Sequence, residues 1–241
     1  MLKVENVSKT YGSIGVLGGI NLEFKREEIR SFLGPNGAGK TTTFNIISGV
    51  EAPDGGSIYL DGHEITGLSV HIRARRGITY LTQDTSLFRG LTVGENVRVY
   101  LDGIDARGDN RAEITSRSLK RLNVLDLEER NVNNLSAGQK RKVEIARALV
   151  ISPNYLLLDE PFSDLDPRSV AEIKDILTSL KKNEGIGVVL SDHRAEEALS
   201  ISNYNYLLDG GRIIAEGDSA EIVESEAALD AYFVTNEIDE G

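Results

Sequence analysis

The segment GPNGAGKTT, Gly34 to Thr42, constrains the fold of this chain more than any other stretch. It fills every fixed position of the spacing G-x-x-x-x-G-K-[ST] with Gly34, Gly39, Lys40 and Thr41. Glycines reach backbone conformations closed to a residue with a Cβ, so successive N–H groups can point into one concavity and cradle phosphates. Asn36, Gly37, Ala38 and Thr42 complete that lining. Lys40 adds a point charge for the outer phosphates, and the Thr41 hydroxyl is a ligand for Mg²⁺. The apolar run IRSFL before the loop reads as a buried strand. TTTFNIIS after it reads as a helix stopped by Gly49, which places the phosphates at a helix N-terminus.

At 241 residues the chain has room for one large domain, or for a domain with a lobe inserted. Leu2, Val4 and Val7 open a strand, and Ile20, Leu22 and Phe24 alternate as a half-buried strand does. Asp61-Gly62, between two short β-rich runs, signals a hairpin. These pieces make a small antiparallel sheet around the strand that feeds the loop, and GITYLTQ (77–83) adds a further strand ending on Gln83. Beyond it the pattern turns helical, with a Thr92–Glu95 capping box, a polar loop at DGIDARGDN, and a helix at 136–150 capped by Ser136. NYLLLDEP (154–161) reads as a central parallel strand, DPRSVAEIKDILTSLKK as an amphipathic helix, and GIGVVLSDH as another buried strand. NYNYLLDGGRIIAEG reads as a hairpin, followed by a helix over SAEIVESEAALDAYF and an acidic, frayed end. The expected organisation is a phosphate-binding core over 1–87, a helical lobe over 88–147, the core again over 148–219, and a C-terminal helix with its tail over 220–241.

LLLDE supplies the hydrolytic partner for the loop. Its apolar run puts Asp159 at a strand's carboxyl end, where a carboxylate for Mg²⁺ is needed. Glu160 follows, placed to orient or deprotonate water for attack on a γ-phosphate. LSAGQ (135–139) precedes a basic helix, and at this point the chain resembles the ATP-binding cassette (ABC) family from about residue 2 to about residue 233. LSAGQ is similar to that family's LSGGQ signature, and GPNGAGKTT and LLLDEP to its two nucleotide motifs. Gln83 resembles the Q-loop glutamine, SDLD (163–166) the D-loop, His193 the switch histidine and Tyr11 the adenine-stacking aromatic. Tyr11 also fits a plain core position, whereas His63 and His71 read as surface residues.

The resemblance implies an α/β P-loop NTPase of the ABC ATPase type: a mixed sheet with an N-terminal antiparallel β subdomain and an inserted helical lobe. It implies a head-to-tail homodimer or pseudo-dimer that sandwiches ATP between the loop of one subunit and the signature of the other. Ser136, Gly138 and Gln139 would then hold the partner's nucleotide, since a helix N-terminus is an anion site. His193 would contact the γ-phosphate, and Gln83 would reach Mg²⁺ and the attacking water. Four residues depart from the pattern. Ala137 stands for the signature's first glycine, which is tolerable if its φ is negative. Asp164 adds an acid to the D-loop, and Glu27 and Arg30 sit in a strand approach that is usually glycine-rich and apolar; exposure at a sheet edge is the reading for Arg30.

A net charge of −11 argues against general nucleic-acid binding, which depends on neutralising phosphates. No run approaches the ~18 apolar residues of a bilayer span, and there is no cysteine for a disulfide or thiolate site. A transporter built on this chain would therefore need separate membrane subunits, with the chain peripheral on the cytoplasmic face of the inner membrane. The stretch QDTSLFRGLTVGENV would receive two permease subunits near Phe88 and Arg89, although Phe88 fits equally well as packing within the lobe. Lys140, Arg141, Lys142 and Arg147 read as a solvated face and part of the dimer's phosphate environment. VEIARAL, DPRSVAEIKDI, DHRAEEAL and the C-terminal pattern GxxxAxGxxxEIxxxExxxxxYF resemble the branch of the family that powers lipopolysaccharide export. Branched-chain amino-acid importers share much of this, and a non-transport ABC ATPase is the third reading.

Overall fold

The computed structural model describes residues 1–103 and 110–225. In chain order its strands are β1 (Leu2–Tyr11), β2 (Ile14–Phe24), β3 (Ile29–Leu33), β4 (Gly55–Leu60), β5 (His63–Glu64), β6 (Ile78–Leu81), β7 (Tyr155–Asp159), β8 (Gly187–Ser191), β9 (Tyr204–Asp209) and β10 (Arg212–Gly217). The α-helices are α1 (Lys40–Ser48), α2 (Val70–Arg75), α3 (Val93–Gly103), α4 (Arg111–Arg121), α5 (Ala137–Leu149), α6 (Pro167–Glu184), α7 (Ala195–Leu199) and α8 (Ser219–Glu224). The expected tip of the DGIDARGDN loop, the continuation of the C-terminal helix and the acidic tail lie outside the described residues.

Two sheets carry the fold. An antiparallel sheet runs β2-β1-β4-β5, and a mixed sheet runs β10-β9-β3-β8-β7-β6, parallel except for β10. The alternation in β2 works as expected: Ile20, Leu22 and Phe24 are all buried. Asp61 and Gly62 both take positive φ, 50° and 81°, as a two-residue type I′ hairpin requires. The parallel strands β3, β7 and β8 are buried at every residue, since both their faces are covered. One apolar cluster fills the space between the two sheets and α1, joining Leu22, Phe24, Phe32, Phe44 and Tyr206. A second cluster, on the other face, binds α5, α6 and the helical lobe to the sheet through Leu33, Val97, Ile145, Leu158 and Ile173. α6 is capped by Asp166 with Pro167 at its first position, and it buries Val170, Ile173, Leu177 and Leu180 on one stripe.

Arg30 is not at an exposed edge. It lies on β3 between β8 and β9 and is 6% exposed, on the same strand face as Phe32. Its guanidinium donates to Glu23 O at 2.6 Å, Tyr206 Oη at 2.9 Å and Glu28 Oε2 at 2.9 Å, and it stacks over the Tyr204 ring at 4.8 Å. The residue thus fastens the two sheets together, a role available only because every donor used finds an acceptor. Helix α2, which the sequence pattern does not announce, contributes a second such arginine. Buried Arg73 donates to the carbonyls of Ile46, Ile47, Thr66 and Leu68, at 2.6–2.9 Å, and so answers the open C-terminal end of α1.

The helix at 136–150 also differs from a solvated basic face. Arg141 and Arg147 are 6% and 1% exposed, and Lys142 is ion-paired to Glu172 on α6. α5 packs its arginines inward because segment 82–86 and the carbonyl of Glu160 offer acceptors there.

Candidate nucleotide site

The site is assembled at the carboxyl ends of the parallel strands, where open α/β sheets bind ligands. β3 delivers the chain into Gly34, whose φ of 146° belongs to glycine alone; a methyl there would sit 2.0 Å from Leu208 O. The loop closes into α1 at Lys40. The Lys40 ammonium is 6% exposed and donates to Gly34 O at 2.7 Å and Pro35 O at 2.9 Å. Burial pulls its pKa below the usual lysine value, against the opposing pull of Glu160, Asp159 and Asp192.

Asp159, at the end of β7, gathers three hydroxyls. Thr41 Oγ1 donates to Oδ2 at 2.8 Å, Tyr80 Oη at 3.2 Å, and Ser191 Oγ to Oδ1. Burial, with the Asp159 carboxylate beside it, pushes the Tyr80 phenol far above its ordinary range, so it stays a donor. Thr41 and Asp159 present two hard oxygens side by side next to the loop. That donor set suits Mg²⁺, which takes one or two protein oxygens and completes its shell from phosphate and water.

Glu160 adopts φ 46°, a left-handed conformation that costs a non-glycine residue about 1–3 kcal/mol. Its N–H donates to Ser191 O at 2.9 Å, fixing the turn. The side-chain oxygen Oε2 accepts from Gln83 Nε2 at 3.0 Å and Ser163 Oγ at 2.8 Å, with His193 Nδ1 at 3.4 Å. The structure therefore brings Gln83, Glu160 and His193 into one cluster, with Gln83 on the glutamate and not on the Thr41–Asp159 pair. Buried Asp192 accepts from the N–H of Phe162 at 3.2 Å and of Arg194 at 2.8 Å, which clamps the segment bearing His193 to the one following Glu160.

Tyr11 is 45% exposed at the end of β1 and is not a core aromatic. His63 and His71 are exposed. Ser136 and Gln139 form a reciprocal capping box at the start of α5. With Gly138 they line a separate open groove of about 890 Å³ shared with Asp166, Ser169 and Glu172 of the α6 start, not with the phosphate loop. Ala137 is absent from the positive-φ residues and exposed, so its methyl is accommodated. Asp164 does adopt φ 58°, which aspartate tolerates better than most residues.

Sequence reasoning missed Tyr80, Ser191 and Asp192, placed Ser163 only within the D-loop motif, and misread Arg141 as part of a solvated face. Ser191 carried a partial signal, since it closes a buried apolar run as Asp159 does, but their pairing depends on β8 lying beside β7. Tyr80 carried none, because its reach depends on β6 lying beside β7.

Residues 17–163 match the family described as ABC transporter. The chain is 41% identical over 233 residues to the lipopolysaccharide export system ATP-binding protein LptB of Haemophilus influenzae, covering 96% of each. Among solved structures it resembles a nucleotide-free ATP-binding cassette from an ABC transporter, with TM-score 0.89, 27% identity, and 96% and 98% of the two chains covered. It also resembles a dimeric post-hydrolysis cassette bound to ADP and Pi, with TM-score 0.81, 31% identity, and 91% and 99% covered.

Proposed function

The chain belongs to the ABC transporter family, as an ATPase whose hydrolysis powers transport, and from that premise we propose that its cargo is lipopolysaccharide. The similarity to the export ATPase over 96% of both chains carries the reading. Among the described residues no helix is long and apolar enough to cross a membrane, so the cargo's path belongs to other subunits.

Hydrolysis follows from the cluster. Lys40 and the loop amides would hold the β- and γ-phosphates, with the Lys40 ammonium turning from the Gly34 and Pro35 carbonyls to which it now donates. Thr41 and Asp159 would hold Mg²⁺, which neutralises charge building on the phosphate oxygens. Glu160 orients the attacking water and accepts its proton, kept in place by Gln83 and Ser163. His193, beside the same carboxylate, would contact the γ-phosphate. Ser136, Gly138 and Gln139 lie in a groove away from the loop, which supports a homodimer in which each signature completes the other subunit's site. ATP then draws two subunits together and hydrolysis releases them.

Two permease subunits would receive that motion near Phe88 and Arg89. The backbone there is clamped, with Phe88 N–H donating to Asn96 Oδ1 at 2.8 Å and Asn133 Nδ2 donating to Arg89 O at 2.7 Å. The Phe88 ring is left 48% exposed, which favours an anchor over packing within the lobe.

Glu160→Gln is expected to bind ATP, lose turnover and accumulate as a dimer; a monomer with unchanged turnover defeats the mechanism. The cargo is tested by purifying the tagged chain from native membranes in mild detergent. Membrane subunits with large periplasmic domains support lipopolysaccharide export, whereas permeases accompanied by a soluble solute-binding protein replace it with amino-acid import.

A further inference from the structure

The end of β1 is stitched to the segment just beyond α1 by a small polar network that the hydrolytic cluster does not use. The Tyr11 hydroxyl donates to Glu51 Oε2. Glu51 is itself anchored, its N–H donating to Asn45 O of α1 at 3.1 Å. Its other oxygen, Oε1, lies 3.0 Å from Lys9 Nζ. Lys9 also donates to Ala52 O at 2.8 Å and stands 5.4 Å from the centre of the Tyr11 ring. The Thr10 N–H donates to Asp54 Oδ2 at 2.7 Å. The hydrogen bond to Glu51, helped by burial, raises the Tyr11 phenol above its ordinary value, so the hydroxyl remains a donor at neutral pH.

We propose that Glu51 is a positioning residue for the base of the nucleotide: it holds Tyr11 as a preformed stacking platform, and so sets how tightly the site retains a purine. The inference rests on the reading of Tyr11 as the aromatic on which the base stacks. The physical argument is preorganisation. A ring 45% exposed on a strand end is free to rotate, and any ring that must be ordered on binding weakens the complex. Glu51 removes that freedom by fixing the far end of the side chain, while Lys9 covers one face of the ring. Because Glu51 is tied to α1, whose first turn closes the phosphate loop, the platform is held in a fixed relation to that loop. A nucleotide then meets base and phosphate subsites already in register.

The test titrates the full chain, carrying Glu160→Gln to prevent turnover, with MgATP and with magnesium tripolyphosphate by calorimetry. Glu51→Ala and Tyr11→Phe are each expected to weaken ATP binding about three- to tenfold while leaving tripolyphosphate within about twofold. The double variant should be no weaker than either single one, since both break the same bond. Glu51→Gln should keep most of the affinity, because its amide oxygen still accepts from the hydroxyl. Tyr11→Ala separates the two readings. If it leaves ATP affinity unchanged, the platform itself is refuted. If it weakens ATP while Glu51→Ala and Tyr11→Phe do not, the platform stands and the role of Glu51 falls. Equal losses for ATP and tripolyphosphate in Glu51→Ala would place the effect on the phosphate loop and overturn the inference. So would Glu51→Gln being as weak as Glu51→Ala.

Discussion

Replacing Gly138 by alanine should damage this protein, although the preceding signature position already carries an alanine. A methyl at Gly138 would lie 2.3 Å from Ser169 Oγ and 2.8 Å from Ser169 Cβ. The hydroxyl could turn away only by leaving Asp166 Oδ2, which it meets at 2.6 Å; the Cβ cannot turn at all. Helices α5 and α6 must therefore separate locally. Overpacking of this kind costs about 1–3 kcal/mol, against less than about 1 kcal/mol gained from alanine's better helix propensity. A net loss of about 1–2 kcal/mol lowers Tm by roughly 2–8 °C for a chain of this length. Ala137→Gly is the control: position 137 is exposed with ordinary φ, so its cost stays within about 1 kcal/mol of helix propensity. Calorimetric or circular-dichroism melts of the two variants decide the matter, with ATPase rates measured alongside. Adding Ser169→Gly to Gly138→Ala should recover about 1 kcal/mol beyond additivity. Gly138→Ala melting within 1 °C of the parent, or no coupling to Ser169, would refute the packing argument.

Arg73→Met should cost about 2–4 kcal/mol in urea unfolding, because four carbonyls including those ending α1 lose their donor. Arg147→Lys is not conservative: an ammonium cannot both grip Ser86 at two points and stack on Tyr100, so a loss of about 1–3 kcal/mol is expected in the same assay. Asp192→Asn tests a pH dependence. Burial raises the Asp192 carboxyl above its ordinary 3.8, so between those values the native state binds more protons than the unfolded chain. That contribution is present at low pH and fades as pH rises through the native pKa. Denaturant melts from pH 4 upward should therefore show the asparagine variant gaining on the parent as pH increases, and a difference that is flat or runs the other way counts against the buried carboxylate.

What was legible in the sequence is what is decided locally. The strand–loop–helix around Gly34–Thr42, the Thr92–Glu95 box, the Ser136 cap and the Asp61-Gly62 turn each depend on residues within one short stretch, and each forms as read. The four buried arginines among the described residues, Arg30, Arg73, Arg141 and Arg147, were misread or passed over because burial depends on which element comes to lie alongside. Arg30 is inside because the antiparallel sheet folds over β3, and Arg147 because segment 82–86 brings a carbonyl and a hydroxyl to α5. Strand order had the same effect on the site. β8 inserts between β3 and β7, so Ser191 meets Asp159 although 32 positions separate them, and Tyr80 arrives from the edge strand. Composition and spacing cannot rank such partners.

The inward face of α5 also explains how a surface far from the phosphates can matter to them. Arg141 reaches the Glu160 carbonyl at 3.1 Å, Glu144 accepts from the Ser86 N–H at 2.8 Å, and Arg147 donates to Ser86 O at 2.8 Å. These three side chains occupy successive turns of the helix whose first turn carries LSAGQ, so one rigid rod touches segment 82–86, the backbone of Glu160 and the groove beside Ser136. Sliding any of these against α5 strands a buried charge without its partner, a penalty of several kcal/mol that thermal motion does not meet. Burial raises the Glu144 carboxyl above its ordinary value, while Arg141, the Ser86 N–H and Arg147 pull it part of the way back toward the charged form. If a membrane partner presses on the exposed Phe88, two residues past Ser86, as proposed above, these contacts would carry the push to the first turn of α5 by displacing the lobe as a body.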